Sequence, residues 1–134
     1  MEHNILTARH QNETIRIEAW GRNALRVRVT QNAQFTEDNK ALLPVEASAQ
    51  ISEEERGARI TNGKISCFIS ENGWIEFHRA DKLLLKEYCR DFSNANEHSP
   101  SMKFNAREFK PVCGSDYAVT ARFEAQDGEK IYGM

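Results

Sequence analysis

A chain of 134 residues is long enough to bury a core without disulfides or metals, and its 40% hydrophobic and 28% charged content is typical of a soluble globular protein. A net charge of −2 gives no electrostatic reason to expect a nucleic-acid partner. No apolar run approaches the roughly 20 residues that span a bilayer, so no membrane association is predicted. We expect one domain over residues 1–134.

The first predicted elements form a β-hairpin. Ile15, Ile17 and Ala19 alternate with polar residues, which is the period of a strand with one buried face. A turn at residues 21–23 leads to the same alternation over residues 24–30. The pattern predicts two paired strands that bury these apolar side chains together.

A second series of strands follows. Asn62-Gly63 is the preferred pair for a type I′ turn, and a strand with Ile65, Cys67 and Ile69 on one side comes after it. Cys67 is in phase with its apolar neighbours, so it is predicted to be a small core residue and not a nucleophile.

Trp74 begins the next strand and is predicted to point outward. It shares a face with Glu76 and His78, opposite the apolar Ile75 and Phe77. An outward tryptophan can be a stacking platform for a sugar or a residue covered by a neighbouring domain. The more common alternative is an edge aromatic that packs over arginine or lysine stems.

Two other aromatic residues, Trp20 and Tyr88, also fall at predicted strand ends or turns, and Tyr88 is kept with Trp74 as a possible sugar contact. Between Trp20 and Tyr88, the sequence allows one helical turn at Glu53–Arg56 but no longer helix, and the short run Leu83–Leu85 is suited to burial on both faces. Residues 31–50 and 90–101 are predicted to be long loops, a class of segment that often carries function or is disordered. Strands at this spacing with Gly and Asn turns predict an antiparallel β-sandwich.

The last part of the chain predicts a further hairpin. Tyr117, Val119 and Phe123 belong to a strand over residues 117–124 and are predicted to be buried. Asp127-Gly128 then turns into a strand that opens with Ile131-Tyr132-Gly133. Because no cap follows this edge strand, we expect the chain to be the front piece of a larger protein and the fragment to self-associate.

The sequence offers no convincing catalytic or metal site. Glu18, Glu76 and Glu124 alternate with apolar neighbours, which predicts solvated groups on the wet face of a sheet. The four histidines and three cysteines lack metal-ligand spacing, so no cofactor is predicted. The odd, scattered cysteines and the absence of a signal-like N-terminus favour free thiols in the cytoplasm.

Three stretches resemble the N-terminal β-domain of family 31 glycoside hydrolases, the α-glucosidases and α-xylosidases. The strongest likeness is at residues 123–133, where Phe123, the Asp127-Gly128-Glu129-Lys130 run and Tyr132-Gly133 are similar to the family's closing strand. Residues 15–30 resemble its early hairpin. Residues 64–85 resemble its meander, although Ala80-Asp81-Lys82 stands where a glycine is usual.

The resemblance implies a galactose-mutarotase-like β-sandwich that packs against a catalytic (β/α)8 barrel and approaches the substrate entrance with one loop. It implies a parent that is a retaining α-glycosidase acting on oligosaccharides, with two catalytic aspartates beyond Met134. The alternatives are a stand-alone carbohydrate-binding module and a structural or interaction domain without a sugar ligand.

Overall fold

The structure, a computed structural model, describes residues 4–36, 43, 45–89, 104–125 and 127–128. Within those residues the chain is all-β, and no helix in them is long and apolar enough to cross a membrane. The strands are β1 (Ile5–His10), β2 (Glu13–Ala19), β3 (Leu25–Thr30), β4 (Gln50–Glu54), β5 (Gly57–Asn62), β6 (Ile65–Ser70), β7 (Ile75–Arg79), β8 (Lys82–Lys86), β9 (Arg107–Pro111) and β10 (Tyr117–Ala121).

The chain divides into two compact units, Met1–Leu84 (unit 1) and Leu85–Met134 (unit 2). Unit 1 holds a three-stranded sheet in the order β1-β2-β3 and, up to the boundary inside β8, the five-stranded sheet β4-β5-β6-β7-β8. Unit 2 holds the two-stranded sheet of β9 and β10. That residues 1–134 form one domain stays a prediction.

The core of unit 1 lies between its two sheets. Ile15 and Ile17 of β2 pack with four buried residues of the other sheet, so the two sheets form an antiparallel sandwich. Fully burying an isoleucine stabilises the fold by about 1.5–3 kcal/mol relative to leaving it exposed. The alternation predicted for both series of strands, including a buried Cys67, is therefore confirmed. The residues contributed by the five-stranded sheet are Ile60, Cys67, Ile69 and Ile75.

The turn between β5 and β6 differs from the prediction. Asn62 is the last residue of β5 and pairs with Ile65, so the connection consists of Gly63 and Lys64. Gly63 has a φ of 61°, whereas Asn62 keeps a strand conformation. The type I′ turn predicted at Asn62-Gly63 was wrong because the Asn62 side chain is buried and bonded to another hairpin, which holds Asn62 in the sheet.

Two short segments differ from what the sequence suggested. Glu53 and Glu54 lie in strand β4, and Glu55 and Arg56 form the turn to β5, so Glu53–Arg56 contains no helical turn. Leu84 of β8 is 37% exposed, and a Leu83–Leu85 run buried on both faces is therefore not present. β4 pairs with β5 along its whole length, and these backbone hydrogen bonds outweigh the weak helical tendency of a short glutamate run.

Unit 2 is tied together by a buried ion pair and by backbone hydrogen bonds. Arg107 donates to both carboxylate oxygens of Glu87, and both residues are buried. The backbone nitrogen of Tyr88 donates to the carbonyl of Arg122 at 2.9 Å, and that of Glu124 donates to the carbonyl of Lys86 at 2.9 Å. These bonds attach the end of β8 and the residue Tyr88 after it to the segment after β10.

The burial predicted for the last strand was wrong. Tyr117, Val119 and Phe123 are 37%, 52% and 41% exposed. Within the described part of unit 2, β9 and β10 form only a two-stranded sheet, and such a sheet has no second layer to bury one of its faces. Asp127 and Gly128 form the predicted turn, whereas Ile131-Tyr132-Gly133 lies outside the described residues.

Candidate functional site

Trp74 points away from the core of unit 1, as predicted. It is 44% exposed, whereas Ile75 beside it is 2% exposed and Phe77 packs against the core. Its backbone nitrogen donates to the Ser70 hydroxyl at 3.1 Å, and its carbonyl accepts from the Ser70 nitrogen at 2.9 Å. These bonds continue the β6–β7 pairing to Trp74 and fix the side of the sheet on which its ring lies.

The strand register places polar side chains beside Trp74 on the outer face of the five-stranded sheet. Ser66 pairs with His78, and Phe68 pairs with Glu76. The imidazole Nε2 of His78 lies 3.3 Å from a carboxylate oxygen of Glu76. Because side chains alternate along each strand, these residues share the surface opposite the core.

Arg59 of β5 is the centre of a hydrogen-bonded network on this outer face. Its Nε and Nη2 atoms donate to the Glu54 carboxylate, and Nη1 donates to the Ser66 hydroxyl at 3.3 Å. Its guanidinium lies 5.3 Å from the ring centroid of Phe68. The hydrogen bonds from Arg59 hold the pKa of Glu54 below its ordinary value of 4.5, and nearby His78 lowers it further. The network therefore keeps a planar cation and its partners in one orientation.

A groove of about 730 Å³ opens at one end of this outer face. It extends from Arg59 and Ser66 to the adjacent turns between β5 and β6 and between β7 and β8. Arginine, lysine, imidazole and hydroxyl groups dominate its lining, and the only carboxylate among the described lining residues is Asp81. Such a surface favours an anionic or hydroxyl-rich ligand over an apolar one. Its other charged or hydroxyl-bearing lining residues are Thr61, Lys64, His78 and Arg79.

Tyr88, the second predicted sugar contact, lies in unit 2. It is 40% exposed, and its ring packs at 60° to the ring of Phe104 with centroids 5.5 Å apart. The guanidinium of Arg122 lies 5.0 Å from the Phe104 ring. Phe104 therefore contacts both Arg122 and Tyr88, and part of the Tyr88 ring is used in this packing.

Trp20 has the environment expected of an edge aromatic residue. It is partly buried, and the guanidinium of Arg26 lies 5.1 Å from its ring. A second aromatic, Phe35, lies between Arg16 and Arg28 at 4.8 and 5.1 Å. Arginines and aromatic rings thus cover the outer face of the three-stranded sheet. Cation–π contacts of this kind stabilise the packing of that face.

Glu18 is not the solvated group that its alternation predicted. Arg28 donates to its two carboxylate oxygens at 3.0 and 2.9 Å, and Nε of Arg26 lies 3.9 Å away. The residue is 9% exposed because these arginines cover it. Glu76 and Glu124, by contrast, are partly exposed. Both Glu18 oxygens are thus occupied by Arg28, which makes this carboxylate part of a structural ion pair.

Among the described residues, no three His, Cys, Asp or Glu side chains are grouped so as to hold a metal ion. Cys67, Cys89 and Cys113 form no disulfide bonds within the described part of the chain, and of the three only Cys67 is buried. Within the described residues, the outer face of the five-stranded sheet carries the groups best suited to a ligand, with Trp74 towards one end and Arg59, Ser66 and the groove towards the other. The sequence identified Trp74 among these groups and missed Arg59, Ser66 and the groove.

Comparison with known proteins identifies the class of protein in which this sandwich occurs. The chain is 38% identical over 146 aligned residues to an uncharacterized family 31 glucosidase, ORF2, of Pseudescherichia vulneris, covering 100% of the chain and 28% of that protein. It also superposes on the crystal structure of a GH31 α-xylosidase from a soil metagenome, complexed with xylose, with a TM-score of 0.82 and 35% identity. That match covers 96% of this chain and 20% of the xylosidase. No family model matches the chain.

The predicted resemblance to glycoside hydrolase family 31 is therefore confirmed. The chain corresponds to the all-β N-terminal domain of such proteins, and it spans less than a third of the length of the relatives that it matches. The antiparallel β-sandwich predicted from the alternation is confirmed with it.

Proposed function

We propose that this chain is the non-catalytic N-terminal domain of a retaining α-glycosidase that hydrolyses the O-glycosyl bonds of α-glucosides or α-xylosides. The observation that carries the proposal is the similarity to family 31 proteins along the whole of this chain but only a fraction of theirs. The two opposed carboxyl groups of such an enzyme would lie in the part of the protein outside these residues. The domain would supply a scaffold and contacts at the substrate entrance.

The exposed face of β10 supports a catalytic barrel as the partner of this domain. Val119 and Phe109 pair across β9 and β10, and the Phe109 ring meets the Tyr117 ring edge-on at a centroid distance of 6.2 Å. Tyr117 and Val119 are substantially exposed, and so is Phe123. Adjacent apolar side chains of this kind mark surfaces that another part of a protein covers. We assign that cover to the barrel of the parent enzyme.

The experiment compares the 134-residue chain with the full-length parent. We expect the parent to hydrolyse aryl α-glucosides or α-xylosides and the chain alone to show no turnover. Hydrogen exchange of β10 should be slower in the parent than in the isolated chain at a concentration low enough to keep that chain monomeric, because the barrel would protect its exposed face. Turnover by the rigorously purified chain, or equal exchange of β10 in both proteins, would contradict the proposal.

A carbohydrate-binding module is the second candidate, and the exposed Trp74 beside polar side chains favours it. Titration of the chain with gluco- and xylo-oligosaccharides, followed by tryptophan fluorescence, tests this role. A saturable response that Trp74→Ala removes and Trp20→Ala leaves intact would support sugar binding. The absence of any fluorescence response would favour a structural or interaction domain. The role of Tyr88 as a sugar contact stays a prediction. A cytoplasmic location also stays a prediction, and cysteines without disulfide bonds fit such a reducing compartment.

A further inference from the structure

The described residues that line the groove of unit 1 include three strong cations, Arg59, Lys64 and Arg79, and one carboxylate, Asp81. Arg59 is matched by Glu54, and His78 contacts Glu76, so these two basic groups already have acidic partners. Lys64 and Arg79 are exposed, and within the described part of the chain neither side chain forms an ion pair with a carboxylate. They line the groove at the two adjacent turns.

The groove also presents groups that bind hydroxyls. Ser66 and Thr61 pair across β5 and β6, and both line the groove beside His78. Arg59 contacts Ser66 and remains fixed by Glu54, so its guanidinium is oriented before any ligand arrives. Fixed donors of this kind lower the cost of ordering the site on binding.

Trp74 lies on the same face as the groove but at a distance from it. It precedes His78 by four positions in an extended segment, which corresponds to roughly 13 Å at the rise of a β-strand. A single sugar cannot contact both ends of this surface, whereas a short chain of sugars can. An aromatic platform at one end and a cationic groove at the other define an elongated site with two different ends.

We infer that the outer face of the five-stranded sheet binds an acidic oligosaccharide. A sugar that carries a carboxylate, as uronic acids do, lies in the groove between Lys64 and Arg79. A neutral sugar of the same chain stacks on Trp74. This assignment rests on the saccharide-binding role proposed for the face and adds the chemical class of the ligand. Charge complementarity selects the acidic end, because arginine and lysine bind carboxylates through charge-assisted hydrogen bonds.

The test is calorimetric titration of the 134-residue chain with three probes at low salt. The first is a neutral xylo-oligosaccharide, the second is an oligosaccharide of the same length with one glucuronic acid, and the third is inorganic phosphate. We expect the acidic oligosaccharide to bind about tenfold more tightly than the neutral one, as expected for a charge-assisted contact of about 1.5 kcal/mol. Salt should reduce this preference.

Variants separate the two ends of the site. Lys64→Ala and Arg79→Ala should each remove most of the preference for the acidic probe, whereas Trp74→Ala should weaken both oligosaccharides alike. Arg56→Ala is the matched control, since Arg56 is an exposed cation of unit 1 outside the groove lining. Its binding should equal that of the unchanged chain.

Three outcomes would overturn the inference. Equal affinity for the neutral and acidic oligosaccharides would support saccharide binding but contradict the preference for an acidic ligand. Binding of phosphate without either oligosaccharide would make the groove a plain anion site. If none of the three probes binds, the saccharide-binding role is contradicted as well. Turnover of aryl α-glycosides by the full-length parent is a separate measurement, so the glycosidase assignment stands or falls independently of these titrations.

Discussion

The side chain of Asn62 binds the backbone of Ala24, which belongs to the other sheet of the sandwich. Nδ2 of Asn62 donates to the carbonyl oxygen of Ala24 at 2.7 Å and to that of Gly21 at 2.9 Å. In return, Oδ1 of Asn23 accepts a hydrogen bond from the Lys64 backbone nitrogen at 2.7 Å. Two hairpin turns, one from each sheet, are thus joined by reciprocal asparagine contacts.

Asn62→Ala should destabilise unit 1. The substitution removes two hydrogen bonds of a buried side chain, each worth about 0.5–1.5 kcal/mol, although the Ala24 carbonyl keeps its bond from the Trp20 nitrogen. Asn72→Ala is the control, because Asn72 is an exposed turn residue, and it should change the free energy of unfolding by less than about 0.5 kcal/mol. Urea unfolding followed by tryptophan fluorescence measures both variants. Equal free energies of unfolding for the two variants would show that the hydrogen bonds of Asn62 contribute little to the stability of unit 1.

The isoleucine pair between β4 and β5 provides a test of the core. Ile60 is 0% exposed, and Ile51 directly opposite it is 40% exposed. Ile60→Ala should cost about 2–5 kcal/mol, since it removes apolar contacts and leaves a cavity. Ile51→Ala should cost less than about 1 kcal/mol. A comparable loss in both variants would mean that Ile51, at the exposed edge of the core face, is covered in solution.

The ion pair of Glu87 and Arg107 should respond asymmetrically to substitution. Their side chains are 3% and 7% exposed. Arg107→Met removes the cation that pairs with a buried carboxylate and should cost about 3–5 kcal/mol, whereas the double change with Glu87→Leu should recover most of that loss. The exposed pair Glu108–Arg122 is the control, and Arg122→Met should cost about 1 kcal/mol or less. The measurement is chemical unfolding followed with a probe in unit 2. A double variant that is as unstable as Arg107→Met alone would contradict the prediction.

Alternation predicted the core of unit 1 because burial on one sheet face selects every second residue. Ile15, Ile17 and Cys67 follow from that rule alone. The buried positions of Glu18 and Asn62 do not, because their partners come from a neighbouring strand or from the other sheet. The type of a polar residue predicts only how exposed such residues are on average. Its actual exposure depends on whether a hydrogen-bond partner from a distant part of the sequence covers it.

The candidate site was only partly predictable for the same reason. Trp74 stands out because its position is out of phase with Ile75. Arg59 and Ser66 become part of a site only when the register aligns β5, β6 and β7, and a shift of one residue would send their side chains to the core face. The exposure of Val119 could not be predicted from alternation, because the pattern does not say whether a second surface covers the apolar face.

Acid should weaken the link between β4 and β5. The pKa of Glu54 is lowered in the folded state by hydrogen bonds from Arg59 and by the nearby His78. A lowered pKa contributes stability above the ordinary value of 4.5, and that contribution is lost as the pH falls through the folded-state pKa. Because the pair is partly exposed, the effect is small and decreases with salt.

The measurement is the urea midpoint of the unchanged chain, Glu54→Gln and Glu53→Gln over a pH series down to about 3. Glu54→Gln should lower the midpoint near neutral pH and flatten its decline below the ordinary pKa. Glu53→Gln, an exposed neighbour in the same strand, should keep the slope of the unchanged chain. Parallel curves for all three proteins would show that the Arg59 contact does not perturb Glu54.

The exposed face of β10 predicts self-association of the 134-residue chain. Tyr117, Val119 and Phe123 form an apolar surface, and we propose that the barrel covers it in the parent enzyme. In the isolated chain a second copy can cover the same surface, and about 800 Å² buried per partner suffices for a specific dimer. Sedimentation over a range of concentrations should therefore show a reversible increase in mass. The edge at Ile131-Tyr132, which the sequence also suggested as a contact, lies outside the described residues.

Substitutions on the two sides of β10 decide whether this surface is the cause. Val119→Lys should shift the chain towards monomer, because it places a charge in the middle of the apolar face. Thr120→Lys adds the same charge to the opposite side of the strand, where Thr120 pairs with Glu108, and should leave the association unchanged. If both variants dissociate equally, net charge and not the apolar face controls assembly. A chain that stays monomeric at high concentration, with β10 protected from hydrogen exchange, would show that this face has no tendency to bind another copy.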